Sequence, residues 1–419
     1  MFLTSAKFEK YLLIFTLVDI LFAPYVFFLA TTYSQFFVFL WFILKDKRVF
    51  QRKELKFYYY IMFFIGLSVI ISLFTIPNHF LGEYVFDNFK RGLNIVMAIS
   101  YYFFFSYFFK SRDVKLEKWI FALLIYVTLW GVLYYLNMSL FITIKRFFNP
   151  FDSVTNVFVL NTDFFNRYNF IWTDPNNIGY TIVGVVAFLI INKKTSNIVL
   201  IISVLALLFI LLITMSGGSV LTAFLVIPVS LLVRFQNSLN LWSRLFLILS
   251  IVAAIYLTSK FSSQLTGSEI GETAILRLED KTETEEPRLR IWKRLFEAKN
   301  VLLYSFAGEG SNLFINGKPY PPHNGHLAFI FGFGIICYYM YVYLFFRKSK
   351  TQRWIDLLYI TPFLLCFTLN VGIGELKFAA IMYMLVAYSR TQNKEQILLN
   401  RLRQIMKLKI QKQNSVLIS

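Results

Sequence analysis

Charge, histidine and cysteine are all scarce in this chain of 419 residues. Charged residues make up 16%, where a soluble domain carries about a quarter. That shortfall excludes an ordinary soluble globular protein. The two cysteines, Cys337 and Cys366, both lie inside apolar runs, which excludes a disulfide framework. Histidine occurs three times, at positions 79, 323 and 326. The H-x-x-H spacing of His323 and His326 is one that can ligate a metal, but no third histidine or cysteine accompanies it, so no metal centre is expected. Acidic residues are also few, 23 against 42 Lys and Arg, for a formal charge of +19.

What fills the chain is apolar: 57% hydrophobic and 19% aromatic residues, with a mean hydropathy of +0.60. The apolar residues fall into blocks of roughly 15 to 20 bounded by Lys and Arg, the pattern of helices crossing a hydrocarbon core about 30 Å thick. Inside lipid each backbone N–H and C=O must be paired within the protein, so these blocks are expected to be helical. The fold class expected is an all-α polytopic membrane protein. Most of the basic excess sits beside block ends on one side, the positive-inside signal, and this excludes nucleic acid as its explanation. The first block has a basic start but no small-residue cleavage site, and is read as a retained helix.

Twelve spans are expected, with both termini cytoplasmic: 11–24, 28–44, 57–76, 91–109, 119–137, 175–192, 198–214, 219–234, 244–259, 327–346, 354–369 and 374–389. The organisation that follows is helices 1 to 9 over 1–259, a large outer loop over 260–325, helices 10 to 12 over 326–390 and a basic cytoplasmic tail over 391–419. The tail reads as a solvated or surface-lying amphipathic helix. No internal repeat is visible. Asp19 is the main intramembrane charge expected, near an interface.

The large loop carries the residues with chemistry. "EPRLRIWKRLFEAKN" predicts a helix from Arg288, with Pro at its first turn. Leu289, Ile291, Trp292, Leu295 and Phe296 share one face; Arg290, Lys293, Arg294 and Glu297 share the other, a solvated or headgroup-facing side. Arg288 falls on the apolar face, where a guanidinium needs an anionic partner, either a carboxylate in a structural ion pair or a phosphate ligand. "FAGEGSNLF" contributes Gly308 and Gly310, a turn or a close backbone approach to a ligand. In "YPPHNGHLAFIFGFG", His323 and Asn324 stand at the start of span 10, with His326 one turn on. They are polar residues at a helix end or, for the imidazole, a general base whose pKa lies near working pH. Upstream, Arg167 precedes span 6, whose entry "TDPNN" offers Asp174 as cap and Pro175 as first helical residue. "ITIKRFF" adds Lys145 and Arg146. Arginines from separate outer segments, with a histidine among them above an apolar bundle, suit a phosphate carried on a lipid.

The order R-x-x-x-W (Arg288, Trp292), G-x-G-x-x-x-F (Gly308, Gly310, Phe314) and H-N-x-x-L (His323, Asn324, Leu327), with Gly334 eleven residues after the histidine, resembles the large periplasmic loop of the O-antigen ligase and polymerase superfamily. The span opened by D-P-N behind an arginine and the twelve-span layout with its loop between spans 9 and 10 are similar to the same family. The layout covers nearly the whole chain, the motifs about 60 residues. The resemblance implies a class C-type glycosyltransferase of the bacterial inner membrane. Its substrates would be undecaprenyl-diphosphate-linked oligosaccharides, with membrane lipids around it, no metal ion or cofactor, and a chain-length regulator as a family partner. It also implies roles: His323 as base on the acceptor hydroxyl, Arg288 and Arg167 as diphosphate ligands, and Asn324, His326, Trp292, Gly308, Gly310 and Asp174 in support. Fixed guanidinium donors would stabilise the charge that grows on a diphosphate leaving group.

One departure bears on the activity. The family often has an arginine between spans 7 and 8, in an S-R-x pattern on which the ligases lean. This chain has "SGGS", Ser216 to Ser219, and Arg290 or Arg146 would have to stand in. The expectation is therefore a polymerase (Wzy-type) joining repeat units, with a ligase onto lipid A-core or a transporter of lipid-linked sugars as alternatives.

Overall fold

The computed structural model describes residues 6–24, 32–75, 81–148, 168, 175–214, 216–235, 249–250, 253, 306, 308, 313–315, 318–320, 324–347, 354–369 and 375–391. They form a helical bundle. In chain order the helices are α1 (Ala6–Phe22), α2 (Tyr33–Leu44), α3 (Arg52–Thr75), α4 (Leu81–Ser111), α5 (Leu116–Leu136), α6 (Met138–Phe148), α7 (Pro175–Ile191), α8 (Asn197–Thr214), α9 (Gly217–Phe235), α10 (Gly325–Phe333), α11 (Ile335–Phe346), α12 (Thr361–Leu369) and α13 (376–391). Among the described residues five helices, α3, α4, α5, α8 and α9, are long and apolar enough to cross a membrane. Shorter apolar helices, α2, α7 and α11 among them, pack with these five. Besides the helices there is one two-stranded antiparallel ribbon, β1 (Leu313–Ile315) with β2 (Lys318–Tyr320), in the register Leu313↔Tyr320. The two residues between its strands, Asn316 and Gly317, are the pair that two-residue hairpin loops favour.

Two groups of helices meet in the bundle. α4 packs on α2 and α3, and α11 packs on α3; α7 is packed by α8, α9 and α12. α13 lies between the groups. Its Tyr383 packs against Phe345 of α11, Phe378 meets Phe363 and Phe367 of α12, and Tyr388 meets both Phe109 of α4 and Phe188 of α7. Residues 376 to 391 are all buried, as are residues 177 to 191 of α7. A helix apolar all round that lies inside a bundle touches protein on every side. α3, by contrast, turns Tyr59, Phe63, Ile70 and Phe74 outward.

The structure departs from the expected elements in four places. α4 begins at Leu81, ten residues before the expected span, and Asp87 of that added stretch pairs at i,i+4 with Arg91, the first residue of the expected span. The outer segment after span 5 contains α6, whose start is held by Asn137 Oδ1 accepting from Leu140 N at 2.9 Å. Span 10 is two helices, broken at Gly334, whose φ of 89° is the left-handed backbone that glycine adopts without strain. Span 11 starts with a 3₁₀ turn, Trp354–Leu357, before α12, and Pro362 sits in the first turn of α12, where its missing N–H costs no bond. The expected span 9 and the basic tail lie outside the described residues, apart from 249–250, 253 and 391.

Contacts sort the helix ends into two sets. At one end, Lys45 (after α2) bonds Glu9 (start of α1), Arg390 (end of α13) faces Glu54 (start of α3), and Arg234 (end of α9) bonds carbonyls at the end of α7. Lys47, Arg48, Arg52, Lys53, Arg112, Lys115, Lys193 and Lys194 stand near the same helix ends, and this is called the basic end below. The other, loop-side end holds the starts of α7, α9, α10 and α13 and the end of α12.

Candidate functional site

At the loop-side end the first turns of α7 and α9 touch. A Cβ on Gly179 would come within 2.3 Å of Ser219 Oγ and 2.6 Å of Ser219 Cβ, so only glycine lets these helices approach so closely. The approach brings short polar side chains together. Ser216 Oγ donates to Asn176 Oδ1 at 2.8 Å and lies 2.7 Å from Ser219 Oγ. Ser216 and Ser219 are the ends of the "SGGS" stretch where the resembled family carries arginine. Here the two serines hold helices together.

Next to this pair, Asn177 Nδ2 donates to Glu375 Oε2, and Cys366 Sγ of α12 lies 3.3 Å from Asn177 Oδ1. Glu375 is the residue before α13; its carbonyl accepts from Ala379 N at 3.0 Å. Lys377, in the first turn of α13, is completely buried and acts electrostatically on both Glu375 and Asp19. Asp19 on α1 is itself buried, and its Oδ2 accepts from the backbone N–H of Ser34 at 2.6 Å, at the start of α2. Ser34 Oγ and Thr32 Oγ1 then meet Tyr101 OH of α4 at 2.9 and 2.6 Å. A belt of polar groups thus runs across the bundle through α4, α2, α1, α13, α7 and α9.

With both carboxylates and the amine ionised, the belt carries one net negative charge. Each carboxylate lies at the N-terminus of a helix, Asp19 at α2 and Glu375 at α13, and each such terminus contributes roughly half a positive charge. The sum is near zero, which is what allows so many ionisable groups to be buried together. Sequence reasoning singled out Asp19 and passed over Glu375 and Lys377. The signal was present in "GELK", two charges at the entry of an apolar run. Asp19 is enclosed within the bundle, three residues before the end of α1.

A second cluster surrounds the start of α10. Asn324 is its N-cap: Oδ1 accepts from Leu327 N at 3.0 Å, while Nδ2 donates to Thr368 O of α12 at 2.8 Å. The N-x-x-L spacing of the sequence motif is therefore the spacing of a helix cap. His326 has Nδ1 2.8 Å from Tyr338 OH and Nε2 3.4 Å from Thr368 Oγ1, with its ring against Tyr338 and Phe367. Both ring nitrogens are engaged between α10, α11 and α12. His326 thus packs among three helices. Among the described residues no group of three His, Cys, Asp or Glu is arranged to hold a metal ion.

Gly308 is buried against the last turn of α10. A Cβ there would lie 2.0 Å from Phe331 O and 2.4 Å from Gly332 C. Its carbonyl accepts from Ser68 Oγ of α3 at 3.1 Å, and Ser68 also donates to Gly332 O. Tyr168, fully buried, donates from its hydroxyl to Val127 O at 2.8 Å and from its backbone to Ile213 O at 3.3 Å. Lys145 of α6 is buried. The remaining expected site residues, His323, Arg288, Arg290, Arg167, Trp292, Gly310 and Asp174, lie outside the described residues, as do the side chain of Arg146 and the expected helix from Arg288. Pro175, which Asp174 would precede as cap, does start α7.

Comparison of the chain with protein-family models, with curated proteins and with solved structures finds no match.

Proposed function

We propose that this protein is a twelve-span glycosyltransferase of the bacterial inner membrane, a polymerase that joins oligosaccharide repeat units carried on undecaprenyl diphosphate. The observation that carries the reading is the meeting of two motif pieces on one short helix. Asn324 of the H-N pair opens α10, and Gly308 of the G-x-G is seated on the last turn of that same helix. Helices stand at each expected span except the ninth, most of which lies outside the described residues. The basic end is the cytoplasmic side by the positive-inside rule, so the loop-side end is periplasmic. In this reading His323, the residue before the Asn324 cap, takes the proton of the acceptor hydroxyl. Arg288 and Arg167, with Arg290 in place of the missing span 7–8 arginine, bind the departing diphosphate.

The test is His323→Ala in cells. Surface glycan with single repeat units is expected, and a normal long-chain ladder would count against the polymerase. The ligase alternative predicts a different phenotype for gene deletion, long polymer left on the lipid carrier. A transporter of lipid-linked sugars is favoured by one observation, the charges of Asp19, Glu375 and Lys377 inside the bundle. Their balance against two helix N-termini accounts for them without a transported ligand. Transfer between two lipid-linked oligosaccharides by purified protein separates enzyme from transporter.

A further inference from the structure

At the basic end, the start of α3 and the end of α11 meet around Tyr343. Phe57 of α3 packs on the Tyr343 ring, with centres 4.7 Å apart. The Lys53 ammonium lies 5.3 Å from the centre of the same ring, and the guanidinium of Arg347, the residue after α11, lies 4.9 Å from it. Arg347 Nη1 also donates to the Tyr343 hydroxyl. Two exposed cations are thus gathered on one phenol, which can accept from both but does not supply the charge of a carboxylate. The carboxylate next in the chain, Glu54, is committed elsewhere: it accepts from Tyr102 OH at 2.7 Å and faces Arg390 at 3.5 Å. Lys45 and Arg48, at the same end, have carboxylate partners in Glu9 and Asp46. Among the described residues Lys53 and Arg347 have none.

Toward mid-span each helix continues this corner as an apolar stripe. On α11, counting back from Arg347 in steps of one turn gives Tyr343, Tyr339 and Ile335, of which Tyr339 is 63% and Ile335 48% exposed. The Tyr339 ring is 6.0 Å from that of Tyr343. On α3, Phe57 and Tyr60 follow Lys53 at i+4 and i+7 on one face, and Tyr60 is half exposed. Both stripes run from a cation at the helix end to aromatic rings further in. A phospholipid carries charge and hydrocarbon in that same order, and basic clusters on the cytoplasmic side of spans suit anionic headgroups. We propose that Lys53, Arg347 and the Tyr343 hydroxyl hold the phosphate of an anionic phospholipid whose acyl chain lies along the exposed aromatics of α3 and α11. Lys53 and Arg347 each have N–H groups to spare, and the phenol keeps its O–H as a third donor. The lipid phosphate supplies the missing negative charge, and the stripes offer an apolar wall that a free phosphate would not use. Such a site needs only a leaflet with anionic lipid at the basic end, whatever reaction the protein catalyses.

The test is lipid retention by the full chain in detergent, read by native mass spectrometry with added phosphatidylglycerol. One tightly held lipid is expected on the parent, with phosphatidylcholine bound several-fold more weakly. Each lost cation should weaken binding about fivefold, so Lys53→Gln with Arg347→Gln should lose roughly twenty-five-fold. Lys193→Gln with Lys194→Gln removes two exposed cations at the same end and should change binding less than about twofold. Equal losses in the two double variants, or no loss in either, overturn the proposal. Inorganic phosphate at equal concentration should leave the lipid in place; displacement would mean a free-anion site and overturns it too. A photoactivatable phosphatidylglycerol needs no variant. On the parent it should label residues 53–60 and 339–347 above the other helices, and labelling confined to other helices overturns the proposal whether or not a variant folds.

Discussion

The two ends of the bundle hold their helices together by different means. At the basic end long side chains reach across from helix termini. Lys45 Nζ donates to Glu9 at 2.5 Å and to Tyr107 OH at 3.0 Å, while Trp41 Nε1 donates to the same glutamate at 3.0 Å. Arg390 donates to Tyr102 OH at 2.7 Å and to the carbonyls of Phe345 and Arg347 at 3.2 and 3.0 Å, with Glu54 at 3.5 Å. Arg234 bonds the carbonyls of Ile190, Asn192 and Thr195 at 3.0, 3.0 and 2.6 Å. Cations there satisfy the last carbonyls of α7 and α11, the favourable side of the helix dipole. At the loop-side end most of the groups are short, and carboxylates lie at helix starts. Both ends obey one electrostatic rule. They differ in which charges a lost partner leaves behind, and that decides what the loss costs.

Three substitutions sharpen this contrast. The largest effect is expected for Lys377→Met, which leaves Asp19 and Glu375 buried without their cation. Breaking a buried pair this way costs about 3–5 kcal/mol. Thermal unfolding in detergent should show it, and adding Asp19→Asn should recover part of the loss. A Lys377→Met protein as stable as the parent would refute the charge balance. Arg390→Ala removes a buried guanidinium that serves two carbonyls and a tyrosine, but it leaves behind one partly exposed carboxylate, Glu54, where the first change leaves two enclosed ones. A loss of about 1–2 kcal/mol is expected by the same measurement. The smallest effect belongs to Asp46→Ala. Its pair with Arg48 lies on the surface, the arginine side chain 91% exposed, and no change in melting temperature should be detected. A large change there would mean that the charge left behind does not decide the cost.

Much of the fold could be read from hydropathy and flanking charge, because the bilayer imposes both. α3, α5, α8 and α9 lie close to where the apolar runs put them. What escaped was set by tertiary contact. Gly334 ends one helix and opens another within a run whose hydropathy is continuous. The ribbon had its signal in Asn316-Gly317, but sits in a loop read for its arginines. The site was legible in part. Asn324 was picked out and proves to be a cap, and His326, chosen for its imidazole, is engaged by Tyr338 and Thr368. Lys377 and Glu375 were overlooked because a charge near a span boundary looks interfacial until α1 and α7 are seen to close over it.

α7 and α13 also bear on how the protein meets membranes of different thickness. α3, with 24 residues, is about 36 Å long and shows lipid much of its outer side, whereas α7, with 17, is about 26 Å long and is enclosed along nearly all of it. Mismatch with a thicker or thinner bilayer is felt by surfaces that touch acyl chains, and is met by tilting or by local distortion of the lipid. The peripheral helices can tilt to match a host membrane while this enclosed pair keeps its own length, insulated from the choice of lipid.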